Sequence, residues 1–112
     1  MDKSTWGSVN RLRAWLDENA GEQSERERRL LRVLKIGEEY GEVAEAVHGA
    51  LGTNPRKGPS HSWDDVRNEL IDVAVTALVA LATLDADGEA EFDARLQYLV
   101  DRALPPPPDD RA

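Results

Sequence analysis

The feature that most restricts the fold is a helical repeat of apolar residues between Ser24 and Leu51. The repeat advances by three or four residues, the spacing that places side chains on one face of an α-helix. Its members are Leu30, Leu34, Tyr40 or Gly41, Ala44, Val47 and Leu51. Glu25 and Glu27 follow Ser24 directly, where acidic side chains favour the first turn of a helix. The pattern therefore predicts one long helix from Ser24 to Leu51.

Three further segments carry helical signals on either side of this long helix. The first covers residues 5–18, with Ser4 or Thr5 as its N-cap. The next begins at Ser62, which has Asp65 three residues later as in a capping box, and extends to residue 84. The last covers residues 89–104 and has Phe92, Leu96, Leu99 and Val100 on one face. The sequence thus predicts an all-α fold, a four-helix bundle.

Two segments lack a regular pattern and delimit this bundle. Residues 52–61 contain two Pro and two Gly and are predicted to form a loop between the second and third helices. Pro105–Pro108 end the fourth helix, and the remaining residues to Ala112 are expected to form an extended, disordered tail. We therefore predict a single helical domain over 1–104 and a Pro-rich tail over 105–112.

The composition agrees with one small helical domain. The chain has 112 residues, of which 40% are hydrophobic but only 5% aromatic, so the core must be aliphatic. From Ile71 to Leu84 nearly every residue is apolar, Ala or Thr, which predicts a helix buried centrally or in a subunit interface. Because a domain of this size buries a modest fraction of its surface, oligomerisation would stabilise it.

Charge and residue usage exclude several classes of function. The net charge of −8 disfavours nucleic acid as a partner, because a protein that binds a phosphate backbone normally has a basic face. The absence of Cys excludes disulfides and thiolate chemistry. No run of about 18 apolar residues is present, and the N-terminal Met-Asp-Lys-Ser does not resemble a signal peptide. We expect a cytoplasmic protein without a membrane partner.

Two pairs of acidic residues stand at helical spacing within apolar segments. Glu39 and Glu42 share one helix face, with Glu38 beside Glu42, and Glu69 shares a face with Asp72. If the second and third helices pack antiparallel, these carboxylates converge. Such a group requires shared protons, basic partners or bound divalent cations, and two such cations roughly 3.5–4 Å apart are suited to phosphate chemistry. The alternative is that the acids are solvated or paired with basic groups.

Other features of the second helix leave alternatives open. Glu45 and His48 form a Glu-x-x-His, but a di-iron carboxylate bundle needs two such motifs, so His48 is interpreted as a helix-end residue. Gly37 and Gly41 cost about 1 kcal/mol each relative to Ala inside a helix. They are explained equally well by close approach of another helix and by room for a ligand beside the acids.

Together these residues resemble the MazG-like all-α nucleoside triphosphate pyrophosphohydrolases. The family pattern of Glu-Glu-x-x-Glu and Glu-x-x-Asp stands here as Glu38–Glu42 and Glu69–Asp72, with 26 residues between. The surrounding stretches KIGEEYGEVAEAV and WDDVRNELIDVAVTALVAL are also similar, so the resemblance covers roughly residues 30–100. It implies hydrolysis of an NTP or dNTP between the α- and β-phosphates, in a homodimer or tetramer.

The resemblance also implies roles for individual residues. Glu39, Glu42, Glu69 and Asp72 would bind Mg²⁺, or Mn²⁺ in its place, and Glu38 would orient or deprotonate the attacking water. Candidate phosphate contacts are Lys35, Arg56, Lys57, Arg95 and Arg102, although Lys35 is equally well explained as an ion-pair partner of Glu38. Trp63 is interpreted as a core anchor rather than a base-stacking residue. The competing hypothesis is a non-enzymatic helical interaction module.

Overall fold

The computed structural model describes residues 1–109, and this part of the chain contains four helices and no strand. The helices are α1 (Lys3–Asn19), α2 (Glu25–Leu51), α3 (Trp63–Leu84) and α4 (Gly88–Ala103). The all-α prediction is therefore confirmed, with each predicted boundary within two residues of the observed one. The arrangement is consistent with an all-α bundle.

The helix starts follow from local hydrogen bonds. The Ser24 hydroxyl accepts a hydrogen bond from the Glu27 amide at 3.1 Å, so α2 begins where the sequence predicts. Ser62 and Asp65 form the predicted capping box, with reciprocal bonds of 3.2 and 2.8 Å. For α1 the predicted N-cap was wrong: Asp2 is the cap, because its carboxylate accepts from the Ser4 amide at 3.0 Å.

α3 is the central helix of the fold. It packs mainly against α2, less against α1 and only slightly against α4. One cluster of buried residues consists of Trp6 and Val9 of α1 and of Val79 and Ala82 of α3. At the start of α4, a Cβ on Gly88 would lie 2.8 Å from Trp6 Cη2, so the missing side chain lets the indole ring pack there. This junction holds α1, α3 and α4 together.

α2 turns a different face to the core than the predicted apolar stripe. Val43, Ala46 and Gly49 are its buried residues, whereas Leu34 and Tyr40 of the stripe are 67% and 68% exposed. α2 thus has two faces of small or apolar residues, and periodicity alone does not tell which one is buried. The interpretation of Trp63 as a core anchor was also wrong: its side chain is 60% exposed, and Val66 supplies the inward side chain of that turn.

The chain is extended for its length. Its radius of gyration is 18.3 Å, whereas a compact domain of this length has about 13 Å. α4 contributes to this shape, since the apolar face predicted for it, Phe92, Leu96, Leu99 and Val100, is exposed. No helix in the described region is long and apolar enough to cross a membrane. Residues 105–109 have no regular secondary structure, and the rest of the predicted tail lies outside the described residues.

Candidate metal centre

The pairing of α2 with α3 brings the two acidic segments together. Glu39 of α2 and Glu69 and Asp72 of α3 each place a carboxylate oxygen within 4.8 Å of the others. These three residues, called the acid cluster below, form a group that could hold a metal ion. The predicted convergence of the two acidic segments is therefore observed for three of the five acids.

The acid cluster has an uncompensated buried oxygen. Glu69 Oε2 is buried and has no hydrogen-bond partner among residues 1–109. Burial raises the pKa of Glu69, and the nearby charges of Glu42, Asp72 and Glu39 raise it further. Because desolvation and like charges both disfavour ionisation, this arrangement favours a bound proton or a bound cation.

Glu39 has the same electrostatic character. Burial is the main reason that the pKa of Glu39 is raised, and the charge of Glu42 raises it further. The Lys35 ammonium opposes both effects. Asp72 also contributes to the increase. Glu42 is exposed and lies outside the group of three, but its carboxylate is close enough to act on both Glu39 and Glu69.

Lys35 and Glu38 form an ion pair at the edge of the acid cluster. Lys35 Nζ lies 2.7 Å from Glu38 Oε2 and 3.9 Å from Glu39 Oε1. The hydrogen bond to Glu38 and the charge of that carboxylate raise the pKa of Lys35, which keeps the ammonium protonated. The ion-pair interpretation of Lys35 is therefore observed. Glu38 is exposed, as a residue that meets solvent water would be.

A cleft of about 490 Å³ lies beside the acid cluster, between α1 and α2, with α3 as its floor. Two residues connect it to the acids: Lys35 lines the cleft and contacts Glu39, and Thr76 follows Asp72 by one helical turn. Its apolar walls come from Leu12, Trp15, Leu16, Leu31, Val75 and Val79. A partly apolar pocket next to charged groups is the usual form of a small-molecule site.

An ionic network that includes two residues of the cleft, Arg28 and Arg32, joins α1 to α2. Asp17 of α1 accepts from Arg13 at 2.8 Å and lies 2.5 Å from Arg32 Nη1 and 3.5 Å from Arg28 Nε. Burial opposes ionisation of Asp17, but the hydrogen bond and charge of Arg32, with the other arginines, hold its pKa below the usual range. Arg32 also donates to Thr83 of α3 at 3.0 Å.

Of the residues that line this cleft, sequence reasoning found Lys35 but missed the others. Trp15, Arg28 and Arg32 line it, yet none was a predicted site residue. The available signal was the spacing of Arg28, Arg32 and Lys35, which puts three cations on the side of α2 that also bears Glu39. The partner on α1, Asp17, could not be assigned without the tertiary structure.

The other predicted basic residues lie on other segments than the acid cluster. Leu51, where the loop with Arg56 and Lys57 begins, is about 14 Å along α2 from Glu42. Within the loop, the Arg56 and Lys57 amides donate to Asn54 Oδ1 at 3.0 and 3.3 Å. Their roles in substrate binding stay predictions.

On α4, the Arg95 guanidinium lies 4.6 Å from the centroid of the Tyr98 ring, and Arg102 belongs to the last turn. His48 lies in the last turn of α2 and bonds Thr53 Oγ1 at 2.9 Å, which confirms its interpretation as a helix-end residue. The binding roles proposed for Arg95 and Arg102 stay predictions.

Comparisons with known proteins assign no family. No family model matches the chain, no curated protein matches it, and no solved structure matches it. The interpretation of the acid cluster and the cleft therefore rests on their geometry and on the motif resemblance.

Proposed function

We propose that the chain is a Mg²⁺-dependent nucleotide pyrophosphohydrolase that cleaves an NTP or dNTP between the α- and β-phosphates. The observation that carries the proposal is the convergence of three carboxylates from two helices around the buried, unpartnered oxygen of Glu69. The cleft beside them supports it, because a nucleoside would lie next to the acids.

The donor set fits Mg²⁺ or Mn²⁺. Every candidate ligand atom is a carboxylate oxygen, the donor that hard divalent cations prefer, and Glu69 Oε2 lacks any other partner in the described residues. Glu39, Glu69 and Asp72 would hold the metal, with Glu42 from the same face of α2. When bound, the metal neutralises phosphate charge and stabilises the charge that develops during hydrolysis.

The chain's own residues would position and activate the reactants. Trp15 offers an aromatic surface in the cleft, and Arg28, Arg32 and Lys35 supply positive charge along its α2 wall. Glu38 accepts a proton from water as the water oxygen bonds to the α-phosphorus. The bridging oxygen then leaves with the bond electrons as part of pyrophosphate, and the other product is the monophosphate.

The proposal includes a homodimer or tetramer acting in the cytoplasm in nucleotide-pool housecleaning. Arg56, Lys57 and Arg95 remain proposed phosphate contacts. For them to meet the substrate, the loop or a second copy of the chain must approach the acid cluster, since they lie on other segments.

The direct test is pyrophosphate release from a panel of NTPs and dNTPs with Mg²⁺ or Mn²⁺. We expect release that EDTA abolishes, with one nucleotide preferred. Glu69→Gln should lose this activity, whereas Glu91→Gln, which alters an exposed acid of α4, should retain it. Equal activity of the Glu69→Gln variant and the unmodified chain would contradict the proposal.

The second candidate, a non-enzymatic interaction module, is favoured by one observation. Large apolar side chains of α1 and α4 are exposed, for example Trp15 at 60% and Leu96 at 51%. Exposed apolar side chains of this kind are typical of a surface that binds another protein. This candidate predicts no Mg²⁺ affinity. Melting with and without Mg²⁺ separates the two functions, because a metal that binds only the native state raises the melting temperature.

A further inference from the structure

The two walls of the cleft are attached to its floor to different extents. α2 packs extensively on α3, whereas α1 has a smaller contact with α3, and the backbones of α1 and α2 hardly approach each other. The buried residues of α1, Trp6 and Val9, both lie in its first half and cluster with Val79 and Ala82 of α3. The hydrophobic attachment of α1 is therefore concentrated at one end of the helix.

The second half of α1 forms a wall of the cleft without burying its apolar side chains. Leu12, Trp15 and Leu16 line the cleft and are all exposed. Because burial of an apolar face is what holds most helices in place, this half of α1 has little of that stabilisation. Trp15 lies about 14 Å along the helix from Trp6, so a small rotation about the buried first half would displace the indole ring in the cleft.

Asp17 connects this half of α1 to the opposite wall. Its Oδ1 atom lies 2.5 Å from Arg32 Nη1 and 3.5 Å from Arg28 Nε, and both arginines line the cleft. Across residues 1–109, every hydrogen bond or ion pair between α1 and α2 involves Asp17. The segment 20–24 also joins the two helices, but it has no regular secondary structure. The ion pairs of Asp17 are therefore the main constraint on the distance between the walls.

Arg32 is itself held against the floor of the cleft. Its side chain is 11% exposed and donates a hydrogen bond to Thr83 Oγ1 at 3.0 Å. The Thr83 hydroxyl donates to the Val79 carbonyl at 2.8 Å, which leaves its oxygen lone pairs for the guanidinium. Because α3 fixes Arg32, a displacement of α1 would separate Asp17 from its partner. A partly buried pair of this kind is screened by salt less than a surface pair.

We propose that Asp17 is a positioning residue, which fixes the second half of α1, and with it Trp15, at the separation from α2 that a nucleoside in the cleft needs. Asp17 does not line the cleft, so it acts on a ligand through Trp15 and the two arginines. The consequence for substrate rests on the proposed function. The position of α1 does not, because it follows from contacts within the chain alone.

Distances between spin labels test the position of α1, since the chain has no Cys of its own. Glu18→Cys and Leu34→Cys provide exposed labelling sites on α1 and α2, and dilution with unlabelled chain restricts the measurement to distances within one molecule. We expect one narrow distance distribution. Asp17→Asn should broaden it, and so should Arg32→Gln, which removes the same contact from α2. Glu22→Gln, a change at an exposed acid outside the network, should leave it unchanged.

The effect on substrate is measured as KM and kcat of pyrophosphate release. Asp17→Asn should raise KM by about 10-fold with kcat nearly unchanged, because a displaced indole removes binding that substrate and transition state share. A smaller folded fraction would instead lower kcat and leave KM unchanged, so KM separates positioning from stability. In a Trp15→Ala background, Asp17→Asn should have little further effect on KM, because the side chain that it positions is absent.

Two results would overturn the inference. One is a distance distribution in Asp17→Asn that equals that of the unmodified chain, with circular dichroism verifying that both are helical. The other is an Asp17→Asn variant with the original KM. The distance measurement involves no nucleotide or metal. If the unmodified chain releases no pyrophosphate, the proposed function fails, and the distances alone decide whether Asp17 fixes α1.

Discussion

Glu39 of α2 and Glu69 of α3 lie on different helices, yet their carboxylate oxygens approach within 4.8 Å. Both are partly buried, and in both burial and the charge of Glu42 raise the pKa. Two such groups repel each other when ionised. A divalent cation between them would relieve that repulsion, so metal binding and stability should be coupled at this position.

Neutralising an acid of the cluster should remove metal binding and retain the fold. Asp72→Asn is expected to lower pyrophosphate release at least 100-fold, because a carboxylate ligand becomes an amide. The variant should also lose the rise in melting temperature that Mg²⁺ causes in the unmodified chain. Asp64→Asn, an exposed acid earlier on α3, serves as the control. Full activity of Asp72→Asn would refute its role as a ligand.

The metal-free protein should become less stable as the pH rises above the ordinary pKa of glutamate. The pKa of Glu39 and of Glu69 is raised by burial, so the folded chain binds protons more tightly than the unfolded chain, whose glutamates titrate at about 4.3. Between that value and the raised pKa values, stability decreases with increasing pH. Melting in EDTA across this range measures the effect. Glu69→Gln should weaken the dependence, and an unchanged slope in that variant would contradict its assignment.

At lower pH, stability instead decreases as the pH falls, because carboxyls whose pKa is lowered in the folded chain determine the dependence there. Arg32 and neighbouring arginines outweigh burial and lower the pKa of Asp17, and the Ser62 amide lowers that of Asp65. Their contributions to stability are present above the ordinary aspartate pKa of about 3.9 and are lost as the pH falls through the folded-state values. Acid unfolding should therefore begin at a higher pH in the Asp65→Asn variant than in the unmodified chain.

Removing Asp17 should destabilise the fold by about 2 kcal/mol. Its carboxylate contacts Arg13 within α1 and two arginines of α2, Arg28 and Arg32. Arg32, whose side chain is 11% exposed, would lose its charged partner. Urea unfolding of Asp17→Asn measures the change. Arg67→Gln, which breaks an exposed ion pair with Asp64, should change stability by less than about 0.5 kcal/mol. Equal effects of the two variants would mean that the network contributes little.

Gly88→Ala and Gly7→Ala should have opposite effects. A Cβ at Gly88 would lie 2.8 Å from Trp6 Cη2 and 2.9 Å from Leu81 Cγ, so the junction must shift at a cost of about 2 kcal/mol. A Cβ at Gly7 has nothing within 4 Å, and Ala is the better helix former there by up to about 1 kcal/mol. Thermal unfolding compares the two, and a stabilised Gly88→Ala variant would contradict the packing at this junction.

Trp15→Ala should affect substrate binding without affecting metal binding. Trp15 lines the cleft and is 60% exposed, so its truncation costs little stability. If the nucleoside lies in the cleft, kcat/KM should fall by about 10-fold or more, mainly through KM. The melting shift caused by Mg²⁺ should be unchanged. A variant with the original KM would place the nucleoside elsewhere.

Local sequence patterns predicted where the helices begin and end, but not which face of a helix packs inward. Ser24 and Ser62 cap α2 and α3 where the sequence indicates, because capping is a contact among residues three apart. The prediction of which face of α2 is buried was wrong. Leu34 and Tyr40 lie on its exposed face, whereas Val43 and Ala46 face α3. Both faces satisfy helical periodicity, so only the packing of a neighbouring helix distinguishes them.

The sequence by itself determined the four helices and the pairing of acids at helical spacing, since both depend on contacts within one or two turns. Only the tertiary structure decided which acids meet: Glu39, Glu69 and Asp72 converge. The ion pair of Glu38 with Lys35 is a contact within one helical turn, which the sequence already offered. The tertiary structure also forms the cleft, because Trp15 and Arg32 lie on different helices, and the distance between two helices does not follow from local sequence. The physical reason is that helix formation is governed by backbone hydrogen bonds between near neighbours, whereas a site depends on how distant side chains pack.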